Sequence, residues 1–101
     1  MATKPKYGRI DSNQNDIVKE LRSFGCSVEI TSNAGKGFPD IETGWNGRNF
    51  LFEIKDPKKP PSQRKLTPDE VKWHEAWKGQ VNVITTAEEA IKIMMCDNPP
   101  F

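Results

Sequence analysis

The amino-acid sequence predicts an α/β fold in which helices flank a small, mixed four-stranded sheet, with the elements in the order αβββαβα. Three observations support this prediction. An Asn-Gly dipeptide joins two segments with strand character, three segments begin with helix-capping residues, and a short apolar strand lies between the last two helices. Because 101 residues is a common length for one domain, we predict a single domain, with residues 1–10 as a flexible basic arm and residues 97–101 as a tail.

The first helix is predicted over residues 11–24. Cap-type residues occupy its first three positions, and Gly25 is a typical residue at a helix end. A short strand, residues 27–30, should follow, and then a loop rich in Gly, Ser and Asn at residues 31–37. The helix should bury one apolar stripe, formed by Ile17, Val18, Leu21 and Phe24.

A two-residue β-hairpin is predicted at Asn46-Gly47, between strands at 39–45 and 48–55, because this dipeptide tolerates positive φ angles. In the register that such a turn imposes, Asp40 lies directly opposite Glu53. The strand period of two then separates a core face from a polar face. The core face holds Ile41, Thr43, Trp45, Phe50, Phe52 and Ile54, and the other face holds Asp40, Glu42, Asn49, Leu51, Glu53 and Lys55.

The remaining elements follow from prolines and capping residues. Three prolines prevent residues 56–65 from forming a helix or a strand within a sheet, so an extended basic loop is predicted there. Thr67 with Glu70, and Thr86 with Glu89, have the spacing of capping boxes, and Gly79 ends the first of these two helices. The predicted elements are therefore a helix at 67–78, a strand at 81–84 and a helix at 86–95.

Trp73 and Trp77 share one face of the helix predicted at 67–78. Their four-residue spacing is that of a helix whose face packs on the core, so burial in the core is predicted for both. Stacking on nucleic-acid bases is the alternative. His74, the only histidine, has no partner motif and is predicted to be a surface or half-buried helix residue.

The charge distribution allows a nucleic-acid partner although the net charge is only +1. Residues 1–10 and 55–65 form two basic stretches, and a further lysine ends the loop at 31–37. An ordinary solvated loop or tail is the alternative interpretation of such stretches. The candidates for phosphate contact are Lys36, Lys58, Lys59, Arg64 and Lys65.

The composition predicts a small core and an internal protein. Hydrophobic residues make up 35% of the chain and charged residues 29%, a shortage of apolar surface that a homodimer would relieve. Two cysteines far apart in sequence do not indicate a disulfide framework, which fits a reducing cytoplasm. The sequence contains no membrane span and no secretory signal, so a soluble cytoplasmic protein is predicted.

Asp40, Glu53 and Lys55 form the candidate catalytic group. Two opposed carboxylates supply the oxygen ligands of a hard divalent cation, for which Mg²⁺ is the natural candidate. Such an ion would polarise a phosphodiester and activate water, while the ammonium of Lys55 would orient that water or stabilise negative charge. The alternative is that the three side chains form an ordinary surface ion pair on an exposed strand face.

Two groups of residues carry a resemblance to known nucleases. Gly37-Phe38-Pro39-Asp40 and Phe52-Glu53-Ile54-Lys55 resemble the motifs of the PD-(D/E)XK superfamily. Leu66-Thr67-Pro68-Asp69-Glu70, followed by Trp73, Gly79 and Val81, is similar to the downstream half of its VRR-NUC family. The resemblance covers roughly residues 11–90, and it implies a restriction-endonuclease-like core.

The resemblance also implies site residues. Asp40 and Glu53 correspond to metal ligands for Mg²⁺ or Mn²⁺, Lys55 to the catalytic lysine, and the backbone carbonyl of Ile54 to a further ligand.

Asp11 lies nearest a metal-assisting glutamate of the family's first helix, although its side chain is shorter and helix capping is the alternative. Gln14 resembles a glutamine that follows in the family. Glu70 stands where the family often has glutamine, and its capping box already explains it.

The function that the resemblance implies is metal-dependent, structure-selective DNA cleavage. Stand-alone members of the family act on branched DNA as homodimers, which suggests a Holliday-junction or flap endonuclease. A catalytically weak or inactive nucleic-acid-binding module with the same fold is the alternative. A third possibility is that another subunit supplies specificity or activation.

Overall fold

The computed structural model describes residues 12–96, and the predicted order αβββαβα is confirmed. The predictions for the arm at 1–10, for Asp11 and for the tail at 97–101 lie outside the described residues. The elements are α1 (Gln14–Phe24), β1 (Ser27–Ile30), β2 (Ile41–Trp45), β3 (Arg48–Ile54), α2 (Pro68–Ala76), β4 (Asn82–Ile84) and α3 (Ala87–Cys96).

The four strands form one mixed sheet in the order β1-β2-β3-β4. The β1–β2 and β2–β3 pairs are antiparallel, whereas β3 and β4 pair in parallel. A parallel pair needs a crossover connection, and the segment that contains α2 supplies it. The mixed four-stranded sheet predicted from the sequence is therefore confirmed.

The hairpin has the predicted register. Ile41 pairs with Phe52, and Trp45 pairs with Arg48 next to the turn. Asn46 and Gly47 both have positive φ angles, 54° and 77°, as a type I′ turn requires. Since the register is correct, the predicted alternation of faces follows from it.

The core lies between one face of the sheet and helices α1 and α3. Strand side chains such as Phe50 and Phe52 are almost fully buried there. Phe24, predicted to belong to the buried stripe of α1, is instead 41% exposed and lies against the Trp45 ring at a centroid distance of 5.8 Å. The buried core residues are Ile17, Val18, Leu21, Cys26, Val28, Ile41, Phe50, Phe52, Ile54, Ile84, Ala87, Ala90 and Met94.

Helix α2 does not pack on this core, and the prediction that Trp73 and Trp77 are core residues is wrong. No residue of α2 is buried, and Trp77 remains 43% exposed. The two indoles stack on each other at 4.5 Å, so the four-residue spacing reflects their mutual contact. His74 is half-buried on the same helix, as predicted.

Capping residues begin the last two helices as predicted, with one difference. In α2 the capping box is complete, because Thr67 Oγ1 accepts from the Glu70 N–H at 3.2 Å and Glu70 Oε1 accepts from the Thr67 N–H at 2.9 Å. At α3, Thr86 Oγ1 accepts from the Glu89 N–H, but Glu89 Oε1 accepts from the N–H of Thr85, one residue earlier.

No helix within residues 12–96 has both the length and the apolar content needed to cross a membrane.

The loop after β3 contains one short turn that was not predicted. Residues Pro61–Gln63 form a 3₁₀ turn within the segment predicted to be extended. Proline suits the first position of such a turn, because its φ angle is already correct and its missing N–H is not needed. A second 3₁₀ turn, Ser32–Ala34, lies in the loop before β2.

Candidate active site

The open end of the β2–β3 hairpin brings Asp40, Glu53 and Lys55 together. The Asp40 N–H donates to the Phe52 carbonyl at 3.1 Å, which holds Asp40, one residue before β2, against the end of β3 and beside Glu53. Asp40 Oδ2 accepts from the Ile54 N–H at 2.8 Å. All three side chains line one cleft of about 670 Å³, together with residues of the loops and of the start of α2.

Glu53 is the most buried carboxyl of this group, with 2% of its surface exposed. Its Oε1 atom is buried and has no hydrogen-bond partner. Burial, followed by repulsion from Asp40 and Glu70, raises the pKa of Glu53 to about 10. Burial also raises the pKa of Asp40, although the Ile54 N–H partly offsets it. Two ionised carboxylates here therefore need a compensating positive charge.

Lys55 supplies part of that charge from within the cleft. Its Nζ lies 2.8 Å from Glu70 Oε1 and 3.6 Å from Glu53 Oε2. The side chains of Lys55 and Glu53 are only 10% and 3% exposed, so the alternative of a surface ion pair is wrong. An ammonium held away from bulk water interacts more strongly with a negatively charged ligand than a surface lysine does.

Glu70 belongs to the site, a role that sequence reasoning missed. Its Oε1 accepts from both Lys55 Nζ and the Thr67 N–H, so one oxygen caps α2 and holds the lysine. Burial raises the pKa of Glu70, but the hydrogen bonds from Lys55 and Thr67 outweigh it and hold that pKa below its ordinary value. The capping box had explained Glu70 completely, and no local signal indicated the second contact.

The donor set fits a hard divalent cation. Asp40 and Glu53 provide carboxylate oxygens, and the buried Glu53 Oε1 lacks any other partner. Within residues 12–96, no three or more His, Cys, Asp or Glu side chains converge on one ion position, so water and substrate would complete the coordination. Mg²⁺ commonly keeps several waters in this way. Ile54 also lines the cleft, which is where its predicted carbonyl ligand would be needed.

Gln14 does not line the cleft but supports it. It is 1% exposed, and its Nε2 donates to Ser32 Oγ at 3.1 Å. The Ser32 hydroxyl also contacts the Asp40 carbonyl oxygen at 3.4 Å, and that oxygen accepts from the Thr31 N–H at 2.8 Å. These contacts tie α1 to the backbone of Asp40. Gln14 therefore helps to position the backbone of Asp40 through Ser32, without itself lining the cleft.

A second set of contacts holds the end of β3. Asn13 Nδ2 donates to the carbonyl oxygens of Lys55 and Thr85, at 3.1 and 3.2 Å. Next to it, the Asp56 carboxylate accepts from the Ser12 hydroxyl at 2.9 Å. The start of α1 is thus fixed to the backbone that carries Lys55.

The basic residues predicted to contact phosphate divide into two groups. Lys36, Lys59 and Lys65 line the cleft with the carboxylates. Lys58 and Arg64 are exposed but do not line it. The structure therefore brings three of the five predicted residues to the cleft, and a DNA contact by each of the five stays a prediction.

Comparison with known proteins identifies the fold. No family model matches the sequence, and no curated protein matches it. A solved structure described as a VRR_NUC domain is similar, with 21% sequence identity and a TM-score of 0.58. The match covers 84% of this chain and 92% of that chain. The chain therefore has the nuclease-type fold of a VRR-NUC domain, as its motifs predicted.

Proposed function

With the VRR-NUC fold as the premise, we propose that this protein is a metal-dependent DNA endonuclease that hydrolyses phosphodiester bonds. The observation that carries the proposal is the buried, unpartnered carboxylate oxygen of Glu53, which lies beside Asp40 and Lys55 in an open cleft. Burying a polar atom without a partner is costly, so a cation bound at this oxygen would be favourable. A catalytic site that takes up a cation and a phosphate accounts for it.

Asp40 and Glu53, with the Ile54 carbonyl, are the residues that would hold Mg²⁺ or Mn²⁺. A bound divalent ion supplies Lewis-acid polarisation of the phosphate and a lower pKa for water. Lys55 stabilises the negative charge that develops on the phosphate, and Glu70 holds its ammonium in the cleft. Lys36, Lys59 and Lys65 attract the DNA backbone to the same cleft.

For the substrate, we propose branched DNA, such as a Holliday junction or a flap. Residues 12–96 contain no element beyond the αβββαβα core that could read a base sequence, which supports selection by DNA structure. A homodimer would place two such clefts on two strands of a branch point. Light scattering of the free protein and of its complex with a junction tests the dimer.

Cleavage assays with Lys55→Ala test the proposed function. Wild type should cut branched or flapped DNA when Mg²⁺ or Mn²⁺ is present, and a chelator should abolish cutting. Loss of the Lys55 ammonium should reduce the rate about 10²- to 10³-fold, the usual effect of removing one charge-stabilising group. Lys19→Ala, which changes an exposed lysine of α1, is the matched control. Binding of DNA by wild type without metal-dependent cleavage would favour the non-catalytic binding module instead.

The two contacts of Glu70 can be separated by substitution. Glu70→Ala removes both the cap and the support of Lys55, and the cleavage rate should fall about 10- to 100-fold, as for other groups that orient a catalytic residue. Glu70→Gln should retain most activity, because a glutamine oxygen accepts the same hydrogen bonds. Thr67→Ala removes only the cap and should lower the free energy of unfolding by about 1 kcal/mol with little effect on the rate. Equal rate losses in Glu70→Ala and Thr67→Ala would contradict a role in holding Lys55.

The position of the basic residues predicts which charges bind DNA. Lys36→Ala with Lys65→Ala should weaken binding and flatten the dependence of log affinity on log salt by about 2, since each lost phosphate contact removes about 0.9 from the slope. Lys58→Ala with Arg64→Ala has the same charge change away from the cleft and should leave the slope nearly unaltered. Titrations with fluorescent junction DNA over a salt series measure both. Equal slopes for the two double variants would contradict the cleft as the DNA-binding surface.

A further inference from the structure

Three aromatic rings form a row that begins in the cleft and continues along α2. Phe38 lines the cleft two residues before Asp40, and its ring meets Trp73 edge-on at 5.1 Å. Trp73 in turn stacks on Trp77 at 4.5 Å, with an angle of 20° between the rings. The aromatic row, defined here as Phe38, Trp73 and Trp77, thus connects the site that would hold phosphate to the end of α2.

The aromatic row is held in place without being part of the core. Trp77 is 43% exposed, and no residue of α2 is buried. A Cβ atom at Gly79 would lie 3.0 Å from Trp77 Nε1, so the chain after α2 passes close to this indole. An exposed indole that stacking holds in one arrangement suits a binding surface, because little conformational entropy remains to be lost on binding.

We propose that the aromatic row binds unpaired bases of a single-stranded DNA segment whose backbone passes through the cleft. The proposal rests on the proposed function, which places phosphate beside Asp40 and Lys55. Every base presents a π-face, so a row of rings can hold an unpaired strand whatever its sequence. Lys36, two residues before Phe38 and exposed in the same cleft, offers a positive charge for the backbone of that strand. In a duplex, by contrast, the base faces are stacked on each other and cannot reach the row.

The exposed surface of Trp77 is sufficient for one or two unpaired bases, whereas it would supply only a small part of an interface with a second copy of the chain. A tryptophan side chain buries at most about 250 Å², so the 43% of Trp77 that is exposed offers on the order of 100 Å². A stable protein interface needs roughly 800 Å² from each partner. One or two bases cover an area of the size that the indole offers.

The test compares an unpaired strand with a duplex, using the full-length protein and Ca²⁺ in place of Mg²⁺ to allow binding without cutting. The probes are a duplex with a single-stranded oligothymidine tail and a blunt duplex of equal length. Trp77→Ala should weaken binding of the tailed probe about tenfold, as expected when one base loses its stacking partner, and should leave the blunt duplex nearly unchanged. Trp77→Phe should recover much of the loss. Phe24→Ala is the matched control, because Phe24 is similarly exposed but does not belong to the aromatic row.

Fluorescence provides a second readout. In a Trp45→Phe background only Trp73 and Trp77 remain as tryptophans, and the tailed probe should quench their emission more than the blunt duplex does. Equal losses on both probes, or no loss for Trp77→Ala, would overturn the proposal. A change in oligomeric state on Trp77→Ala with unchanged tail binding would overturn it too, in favour of an interface between copies. Binding is measured separately from cleavage. If Trp77 contributes to binding of the tail but no metal-dependent cutting is found, the proposed nuclease activity is refuted and the proposed base binding by the aromatic row is retained.

Discussion

Replacing Glu53 with glutamine is expected to stabilise the metal-free protein at alkaline pH while abolishing cleavage. The side chain is buried and faces Asp40 and Glu70, so that burial first and then repulsion raise its pKa to about 10. Glutamine has nearly the same shape and no charge to bury. The substitution removes the unfavourable charge together with the proposed metal ligand.

The direction of the pH dependence follows from the raised pKa. Between about pH 4.5 and about pH 10, the unfolded chain releases a proton that the folded chain keeps at Glu53. Stability of the metal-free wild type is therefore complete below this window and is lost progressively as the pH rises through it, because only the folded chain holds this proton. Glu53→Gln should lack this loss. Added Mg²⁺ should restore wild-type stability most strongly at high pH, where protons no longer compete with the ion.

Urea unfolding in a chelator at about pH 6 and about pH 9 measures the effect, with the midpoint and slope compared between proteins. Glu42→Gln, which changes an exposed glutamate of β2, is the matched control and should behave as wild type. Parallel loss of stability in wild type and Glu53→Gln would show that Glu53 does not carry the buried charge. Retained cleavage by Glu53→Gln would contradict its role as a metal ligand.

Gly37→Ala is expected to destabilise the protein strongly and to disrupt the active site. Gly37 has a φ angle of +84°, which costs an alanine about 1 to 2 kcal/mol. A Cβ atom there would also overlap the backbone carbonyl group of Asp69 at the start of α2. The loop that carries Phe38 and Asp40 would have to move away from α2, and Glu70 would move relative to Lys55. A fall in melting temperature of more than about 8 °C should result.

Gly35→Ala separates backbone strain from overlap. Gly35 also has a positive φ angle, 73°, but no atom lies within 4 Å of the position of its Cβ. Its ψ angle of −177° places it in a region that almost only glycine adopts, so its substitution should cost about 1 to 3 kcal/mol of strain but should leave cleavage close to that of wild type. Thermal unfolding and a cleavage assay of both variants, each in Mg²⁺, provide the comparison. A similar loss of cleavage activity in the two variants would show that the contact between Gly37 and Asp69 does not hold the site together.

Much of the fold and the centre of the candidate site could be predicted from the sequence, because they depend on local rules. Asn46-Gly47 determines the turn, the turn determines the register from Trp45–Arg48 to Ile41–Phe52, and Asp40 comes beside Glu53 where that register ends. Each step involves neighbours in sequence or across one hairpin. Thr67 and Glu70 likewise identify the start of α2 within four residues.

Only the tertiary structure decided how the elements meet at the cleft. Glu70 reaches Lys55 because the crossover brings α2 over the end of β3, and the tight contact of Gly37 with Asp69 depends on the same packing. The four-residue spacing of Trp73 and Trp77 fits a buried or an exposed helix face equally well, since periodicity shows which residues share a face but not what covers that face. Contacts between segments far apart in sequence depend on the position of whole elements, which no local pattern of residues specifies.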